Sequence, residues 1–531
     1  MDYKKYFKNK IITVMGLGLL GRGLGDVQFL AECGADLIVT DIKTESELSD
    51  SLSKLKNLFT RQKFFNKNLG GKTYKPCEKN SLGIFSQSEI SQGKLINFHL
   101  GGHRLEDFCD RDFILKAAGV PLDSPFIVEA RKNGIPIEMD ASLFAKLAPP
   151  DVKIIGITGT RGKSTVTALI YSILKKAGKK VYLGGNVKDT ATLPLLKKVK
   201  SGDFVVMELD SWQLQGFGDS KISPNISVFT TFLPDHMNYY KNDMDKYLED
   251  KSNIFKYQKG SRASIDGTRH DSAESDVLIM GEKVACLLSE KYGTNIKSKF
   301  VVAGKEIVPK DWKIKIPGEH NLENIACAVS ASRELGIPEE IIKKAVENFK
   351  GVSGRLELVR TINGVKIYND TTATTPEATM AALRALSTKS EALNPKQSPK
   401  IQNSKLEEEK RIVLIMGGAD KSLDMARLVE EIPKYCKTLI LLEGNGTSKI
   451  GITKYELRST KEEEKLIIHN SKFIIQGMIV NSLKQAVIEA LSFAKKNDIL
   501  LFSPAFASFG MFKNEYDRGE QFNEIVSSIR G

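Results

Sequence analysis

The sequence predicts an α/β protein of three domains built on mainly parallel sheets. Three observations carry that expectation. Short apolar runs alternate with helical patterns along all 531 residues, two glycine loops each lie between such a run and a helix, and two breaks divide the chain.

The strand-like runs, in order, include Ile11–Met15, Leu37–Thr40, Ile154–Thr158, Phe204–Leu209, Ser227–Thr230, Ile412–Met416 and Ile499–Ser503. One boundary falls at Ala148-Pro149-Pro150, just before a new strand and its glycine loop. The other falls at Gly351–Gly354, after the helical stretch Glu339–Phe349. The expected domains are therefore 1–149, 150–353 and 354–531, each within the usual size of one core. Two stretches look inserted. Residues of about 57–99 are basic, glycine-containing and weakly periodic, and Ser387–Lys410 is polar with a Glu407-Glu408-Glu409 run, as in a flexible loop.

The hydrophobic share of 41% and charged share of 27% are those of an ordinary globular protein. The net charge of +13 favours anionic partners: nucleic acid, a membrane surface or a phosphorylated small molecule. Much of that excess lies in lysine-rich stretches such as Lys54–Lys79, which usually form solvated surface. Six scattered cysteines without a Cys-x-x-Cys pair argue against a zinc ribbon or disulfide framework and point to a reducing, cytoplasmic setting. Lys4, Lys5, Lys8 and Lys10 before Ile11–Gly21 imitate a signal peptide. Gly16, Gly18 and Gly21 interrupt the apolar run, however, and a buried strand entering a glycine turn explains it better. No run is long and apolar enough to span a bilayer, so no membrane insertion is expected.

Gly156-Ile-Thr-Gly-Thr-Arg-Gly-Lys-Ser-Thr165 follows a strand and opens a helix expected over Ser164–Ala177. Its glycines let backbone N–H groups face phosphates, and the helix N-terminus adds a favourable dipole. Lys163 can reach the β- and γ-phosphates, while Ser164 or Thr165 can hold Mg²⁺. A strict P-loop has glycine where Ile157 stands, so the loop is a variant, and the bland alternative is a glycine turn with a chance lysine. Gly16-Leu-Gly-Leu-Leu-Gly21 is the second loop, with Asp41 ending the next strand, which fits a dinucleotide fingerprint. That motif speaks for a nucleotide diphosphate more safely than for NAD.

Glu208 ends an apolar strand, and Asp235-His236 follows the strand ending near Thr231. A carboxylate and an imidazole beside an ATP loop suit a second Mg²⁺. Taken singly, each is more often a satisfied polar residue at a strand end.

Together these motifs resemble the Mur ligases, the ATP-dependent amide-forming enzymes of peptidoglycan assembly. Gly318-Glu-His-Asn-x-x-Asn324 and Gly354-Arg355 add to the match, which covers nearly the whole chain outside the two insertions. Within the family the chain is most similar to the members that add D-glutamate. The pointers are Asn369–Pro376, Gly417-Gly-Ala-Asp-Lys421 and Ser503–Asn514, and the Asp-Asn-Pro-Arg signature of the diamino-acid-adding members is absent.

The resemblance implies a Rossmann-like first domain, a P-loop-type central ATPase domain and a Rossmann-like last domain. It implies ATP, Mg²⁺ at two sites, UDP-N-acetylmuramoyl-L-alanine and D-glutamate as ligands of a monomer. Gly18, Leu19, Leu20, Asp41, Ile42 and Asn186 would bind the UDP substrate. Gly159, Thr160, Arg161, Gly162, Lys163, Ser164, Thr165, Asn321, Asn324, Arg355 and Asp370 would hold ATP. Thr374, Lys421 and Ser508 would receive D-glutamate. Ser164, Glu208, His236 and Lys251 would bind metal, Lys251 as a carbamate on a helix expected over Asp245–Gln258. Lys163, Glu208, His236 and Lys251 would be the catalytic set. The implied reaction phosphorylates the substrate carboxylate and then lets the amine displace phosphate.

Several departures from the family pattern stand out. Thr372 occupies a frequent lysine position, Asn238 stands where aspartate commonly follows the Asp-His pair, and an aromatic expected by D-glutamate is shifted to Tyr516 or lost to Glu515. Extra residues also precede Lys116-Ala-Ala-Gly119. Three rivals are weaker. A folylpolyglutamate-synthase-like ligase does not need the first glycine loop, and an NAD-dependent oxidoreductase leaves Lys163, Glu208 and Asp235 unused. A nucleic-acid-binding NTPase lacks aromatic-basic interleaving, so no nucleic-acid partner is expected.

Overall fold

The computed structural model describes residues 2–18, 21–61, 96–188, 190–260, 275–293, 296–387, 410–447, 452–455, 465–468, 474–508 and 510–529. It forms two compact units: Met1–Val308 with Glu323–Ile342, and Pro309–Leu322 with Lys343–Gly531.

The first unit holds two parallel sheets. One is built from β1 (Ile11–Met15), β2 (Asp36–Asp41), β3 (Ile96–Leu100), β4 (Phe113–Lys116) and β5 (Ile137–Glu138), in the order β3-β2-β1-β4-β5. Strand order reverses at β1, so a crevice opens beyond the carboxyl ends of β1 and β4, the place where doubly wound sheets bind ligands. The other contains β6 (Lys153–Thr158), β7 (Val181–Gly185), β8 (Phe204–Glu208), β9 (Ile226–Phe229), β10 (Val277–Gly281) and β11 (Lys299–Ala303), in the order β11-β10-β9-β6-β8-β7. Here β6 is the switch strand. Val14, Val39, Leu115 and Phe144 from the first sheet's side share one apolar cluster with Val205, Met207, Leu214 and Phe217 from the second. Each such fully buried side chain stabilises the fold by about 1.5–3 kcal/mol, which ties the two layers into one unit.

The second unit is an eight-stranded mixed sheet of β12 (Glu357–Ile362), β13 (Val365–Asn369), β14 (Ile412–Gly417), β15 (Cys436–Leu442), β16 (Ile452–Tyr455), β17 (Lys465–Ile468), β18 (Ile474–Val480) and β19 (Ile499–Phe502). Its order is β12-β13-β19-β14-β15-β18-β17-β16, parallel from β13 to β18 and antiparallel at both edges. Ile412, Leu414 and Met416 enter one core, Val413 and Ile415 the other, as expected of a parallel strand covered on both faces.

The seven strand-like runs all fall on strands of these sheets. The helix expected over Asp245–Gln258 is shorter, Met244–Ser252, because the chain then turns to bury Ile254 and Phe255. The stretch of about 57–99 has regular structure at both ends: a helix reaches Arg61 and β3 begins at Ile96, with 62–95 outside the described residues. Most of 387–410 likewise lies outside them.

Candidate active site

The loop 156–165 leaves β6 at the switch point and ends in the helix Lys163–Lys176. Gly162 takes the left-handed conformation, φ 87°, and a Cβ there would collide with the Asn324 side chain. Glycine is therefore required at the point where the chain enters the helix. Thr160 pins the loop: its N–H donates to the Thr231 carbonyl at 2.8 Å and its hydroxyl to the Leu233 carbonyl at 3.0 Å. The Arg161 N–H donates to the Thr231 hydroxyl at 2.8 Å. Lys163 folds back over the loop, its ammonium donating to the carbonyls of Gly159 and Thr160 at 3.0 and 3.1 Å. Ser164 and Thr165 open the helix immediately after it.

The strands flanking β6 deliver the remaining groups. Glu208 ends β8 and is buried, and its backbone carbonyl accepts the Asn186 N–H at 2.7 Å. Beyond β9 the chain reaches Asp235 and His236. His236 adopts φ 56°, an uncommon conformation for a residue with a side chain, and its ring packs 4.5 Å from Trp212. Lys251, on the helix Met244–Ser252, is 1% exposed. Its ammonium donates to the Gly159 carbonyl at 3.1 Å and lies 4.8 Å from the centre of the Tyr247 ring.

Burial holds Lys251 well below the usual lysine range, and the neighbouring Lys163 charge pushes it further down against Asp210, Asp235 and Asp250. Burial also lowers His236; Asp235 opposes that, while Lys163 and Lys251 reinforce it. The loop lysine, the buried lysine, the imidazole and the acids therefore share one electrostatic crevice at the carboxyl end of β6. Deprotonated, Lys251 is a nucleophilic amine rather than a fixed cation. Among the described residues no three His, Cys, Asp or Glu side chains form a metal-holding group. The donors present still fit Mg²⁺, because that ion is commonly held by one or two protein oxygens together with substrate phosphates. Ser164 and Glu208 are such donors, with His236 close by.

In the first sheet, the Asp41 carboxylate accepts the Gly18 N–H at 3.1 Å and the Lys43 N–H at 2.9 Å, which ties the acid to the glycine loop. Ile42 is exposed, and Leu19 and Leu20 lie outside the described residues. A cavity of about 190 Å³ opens at the β1/β4 switch point, and Gly18 lines it. Arg22, Asp26, Lys116, Asp140 and Gln213 also line it. None of these was singled out as a site residue from the sequence.

The second unit gathers two further groups. Asp370, just past β13, is buried; its carboxylate accepts the Leu356 N–H at 3.1 Å and the Ser503 hydroxyl at 2.8 Å. Burial pushes it up to about 7, with Arg355 pulling the other way. The Asn321 amide donates to the Pro317 carbonyl at 2.6 Å. Lys421 donates to the Thr374 hydroxyl at 2.9 Å, so two of the three expected D-glutamate residues touch. The third, Ser508, lines a cavity of about 380 Å³ with Gly417, Gly418 and Asn445. Thr372, in the frequent lysine position, donates its hydroxyl to the Gly354 carbonyl at 2.9 Å and braces that turn. Arg518, 1% exposed, joins Thr371 to the Phe506 carbonyl at 3.1 and 3.2 Å, clamping the loops after β13 and β19.

Fold and site define a nucleotide-binding α/β protein with a phosphate loop at the switch point of its central sheet. Residues 157–332 match the family model of the Mur ligase middle domain. The UDP-N-acetylmuramoylalanine–D-glutamate ligase of Roseiflexus sp. (strain RS-1) is 31% identical over 535 residues, covering 98% of this chain and 99% of that one. The ligase of the same name from Clostridium kluyveri is 33% identical over 534 residues, covering 99% of both. The solved structure of UDP-N-acetylmuramate–alanine ligase from Thermotoga maritima matches with a TM-score of 0.53 at 18% identity, covering 98% of this chain and 100% of that one, a likeness of fold. The chain belongs to the Mur ligase family.

Proposed function

We propose that the protein joins D-glutamate to UDP-N-acetylmuramoyl-L-alanine with ATP, releasing ADP and phosphate, in cytoplasmic peptidoglycan precursor synthesis. The observation that supports this reading is the similarity, over 98–99% of the chain, to ligases named for that reaction. In this reading 1–149 takes the UDP substrate, 150–353 the ATP phosphates and 354–531 D-glutamate, and the enzyme works as a monomer without nucleic acid.

A carboxylate is a poor electrophile at neutral pH, so its oxygen first attacks the γ-phosphorus. This forms an acyl phosphate, and ADP leaves. The amine of D-glutamate then attacks the acyl carbon, phosphate departs and the amine loses a proton. Lys163 swings from its loop carbonyls to the phosphates, where its charge grows in value as the phosphoryl group moves. Mg²⁺ held by Ser164, Glu208 and His236 would neutralise phosphate charge. Lys251 reacts as the neutral amine with CO₂, forming an N–C bond and releasing a proton, and its carbamate offers hard oxygens for a second Mg²⁺. Lys421 and Thr374 pair with the acceptor's side-chain carboxylate.

Phosphate release measured with UDP-N-acetylmuramoyl-L-alanine, ATP and a panel of D- and L-amino acids tests the reading. D-glutamate should stimulate release far above L-glutamate and D-alanine. Equal stimulation by all three refutes the acceptor, and release that ignores the UDP substrate refutes the ligase.

A further inference from the structure

The cavity at the β1/β4 switch point contains a charge arrangement that the reaction above leaves unused. At about 190 Å³ it is smaller than the roughly 300 Å³ at which drug-sized ligands are housed, so it suits one fragment of a ligand. Two cations line it. Lys116 is 2% exposed, and its ammonium faces the carbonyls of Val120, Ala117 and Ala118 at 2.8, 3.3 and 3.4 Å, which occupy its three donors. Arg22 makes no hydrogen bond or ion pair among the described residues, and its fork of five donors suits a phosphate bidentately.

Arg22 is the first residue of the helix Arg22–Glu32, and Asp26 follows one turn later on the same face. The cap residue Gly21 supplies no side chain, so the helix's first N–H groups stay open on that side. Asp26 lines the same cavity, is 4% exposed, and leaves Oδ1 without a partner. Asp140 lies alongside. Burial raises both carboxyls, and the Arg22 charge lowers both.

We infer that Arg22 is a binding residue for the diphosphate of the nucleotide-linked substrate. This rests on the reading of the first sheet as the UDP-substrate domain. A purely structural role, in which Arg22 only neutralises two buried acids, predicts changes in stability without selective changes in ligand binding.

The full-length wild type, Arg22→Gln and Arg22→Lys are titrated with UDP by calorimetry. Their initial rates are then measured against UDP-N-acetylmuramoyl-L-alanine and, separately, ATP. Arg22→Gln should weaken UDP at least tenfold and raise the KM for the UDP substrate at least five times more than that for ATP. Arg22→Lys should recover part of the affinity. If Arg22→Gln does not fold, a Lys variant that binds UDP as tightly as wild type overturns the inference. So does a folded Arg22→Gln with UDP affinity within twofold of wild type. A wild type that does not bind UDP at all overturns the underlying reading, a result distinct from the variants' behaviour.

Discussion

The Lys251 ammonium and the Gly159 carbonyl oxygen lie 3.1 Å apart, so a helix beyond β9 delivers its buried lysine directly against the phosphate loop. Free lysine titrates near 10.4, and only the neutral amine attacks CO₂. Burial and Lys163 hold Lys251 well below that range, which favours the neutral form. Labelled bicarbonate should therefore give the wild type a carbamate carbonyl NMR signal that Lys251→Ala lacks. Lys251→Ala should nearly abolish amide formation, and a small added carboxylate should restore part of it. A wild type fully active after rigorous CO₂ depletion rules the carbamate out.

Lys163 now donates to two loop carbonyls, an arrangement that keeps its charge beside the place where phosphates would sit. Lys163→Ala should keep its circular dichroism spectrum and lose on the order of a hundredfold or more in rate. Near-normal turnover by the folded variant would move the phosphates elsewhere.

The legible parts were those set by local pattern. Gly156–Thr165 had to follow a strand and open a helix, and its glycines marked a backbone that side chains would obstruct, as Gly162 against Asn324 demonstrates. Glu208 was legible as the end of a strand and His236 as a residue following one, and the order β9-β6-β8 brings those strands to either side of the loop. Resemblance alone selected Lys251, because its burial comes from packing on Tyr247 and the loop, which no periodicity announces. Arg22, Asp26 and Asp140 were illegible for the same reason. They sit 118 positions apart at the extremes, and only the β1/β4 crossover unites them.

The Lys421–Thr374 contact at 2.9 Å places an exposed ammonium where a carboxylate could replace the hydroxyl as its partner. A charge-assisted hydrogen bond is worth about 1.5–3 kcal/mol, roughly 10- to 100-fold in affinity. Lys421→Ala should raise the KM for D-glutamate by that range while the KM for ATP moves less than threefold. Parallel changes in both constants would place Lys421 outside the acceptor site.

Asp370 gives a pH dependence whose sign follows from its burial. Its carboxyl rises from 3.8 to about 7 in the folded protein because desolvation outweighs the help of Ser503, the Leu356 N–H and Arg355. Between those values the folded state keeps a proton that the unfolded chain has released, so stability falls as pH rises through the window. The favourable contribution of the protonated form is complete below 3.8 and gone above about 7. Between pH 5 and pH 8 the loss amounts to about 2–3 kcal/mol for this one group. Asparagine keeps the neutral shape and has no proton to lose. Urea unfolding of wild type and Asp370→Asn at both pH values isolates the effect, since titrations of all other groups cancel in the difference. The wild type should lose about 2–3 kcal/mol more than the Asn variant on going to pH 8. Equal losses in the two proteins would mean that Arg355 and the two hydrogen bonds already stabilise the carboxylate, and that Asp370 is ionised throughout.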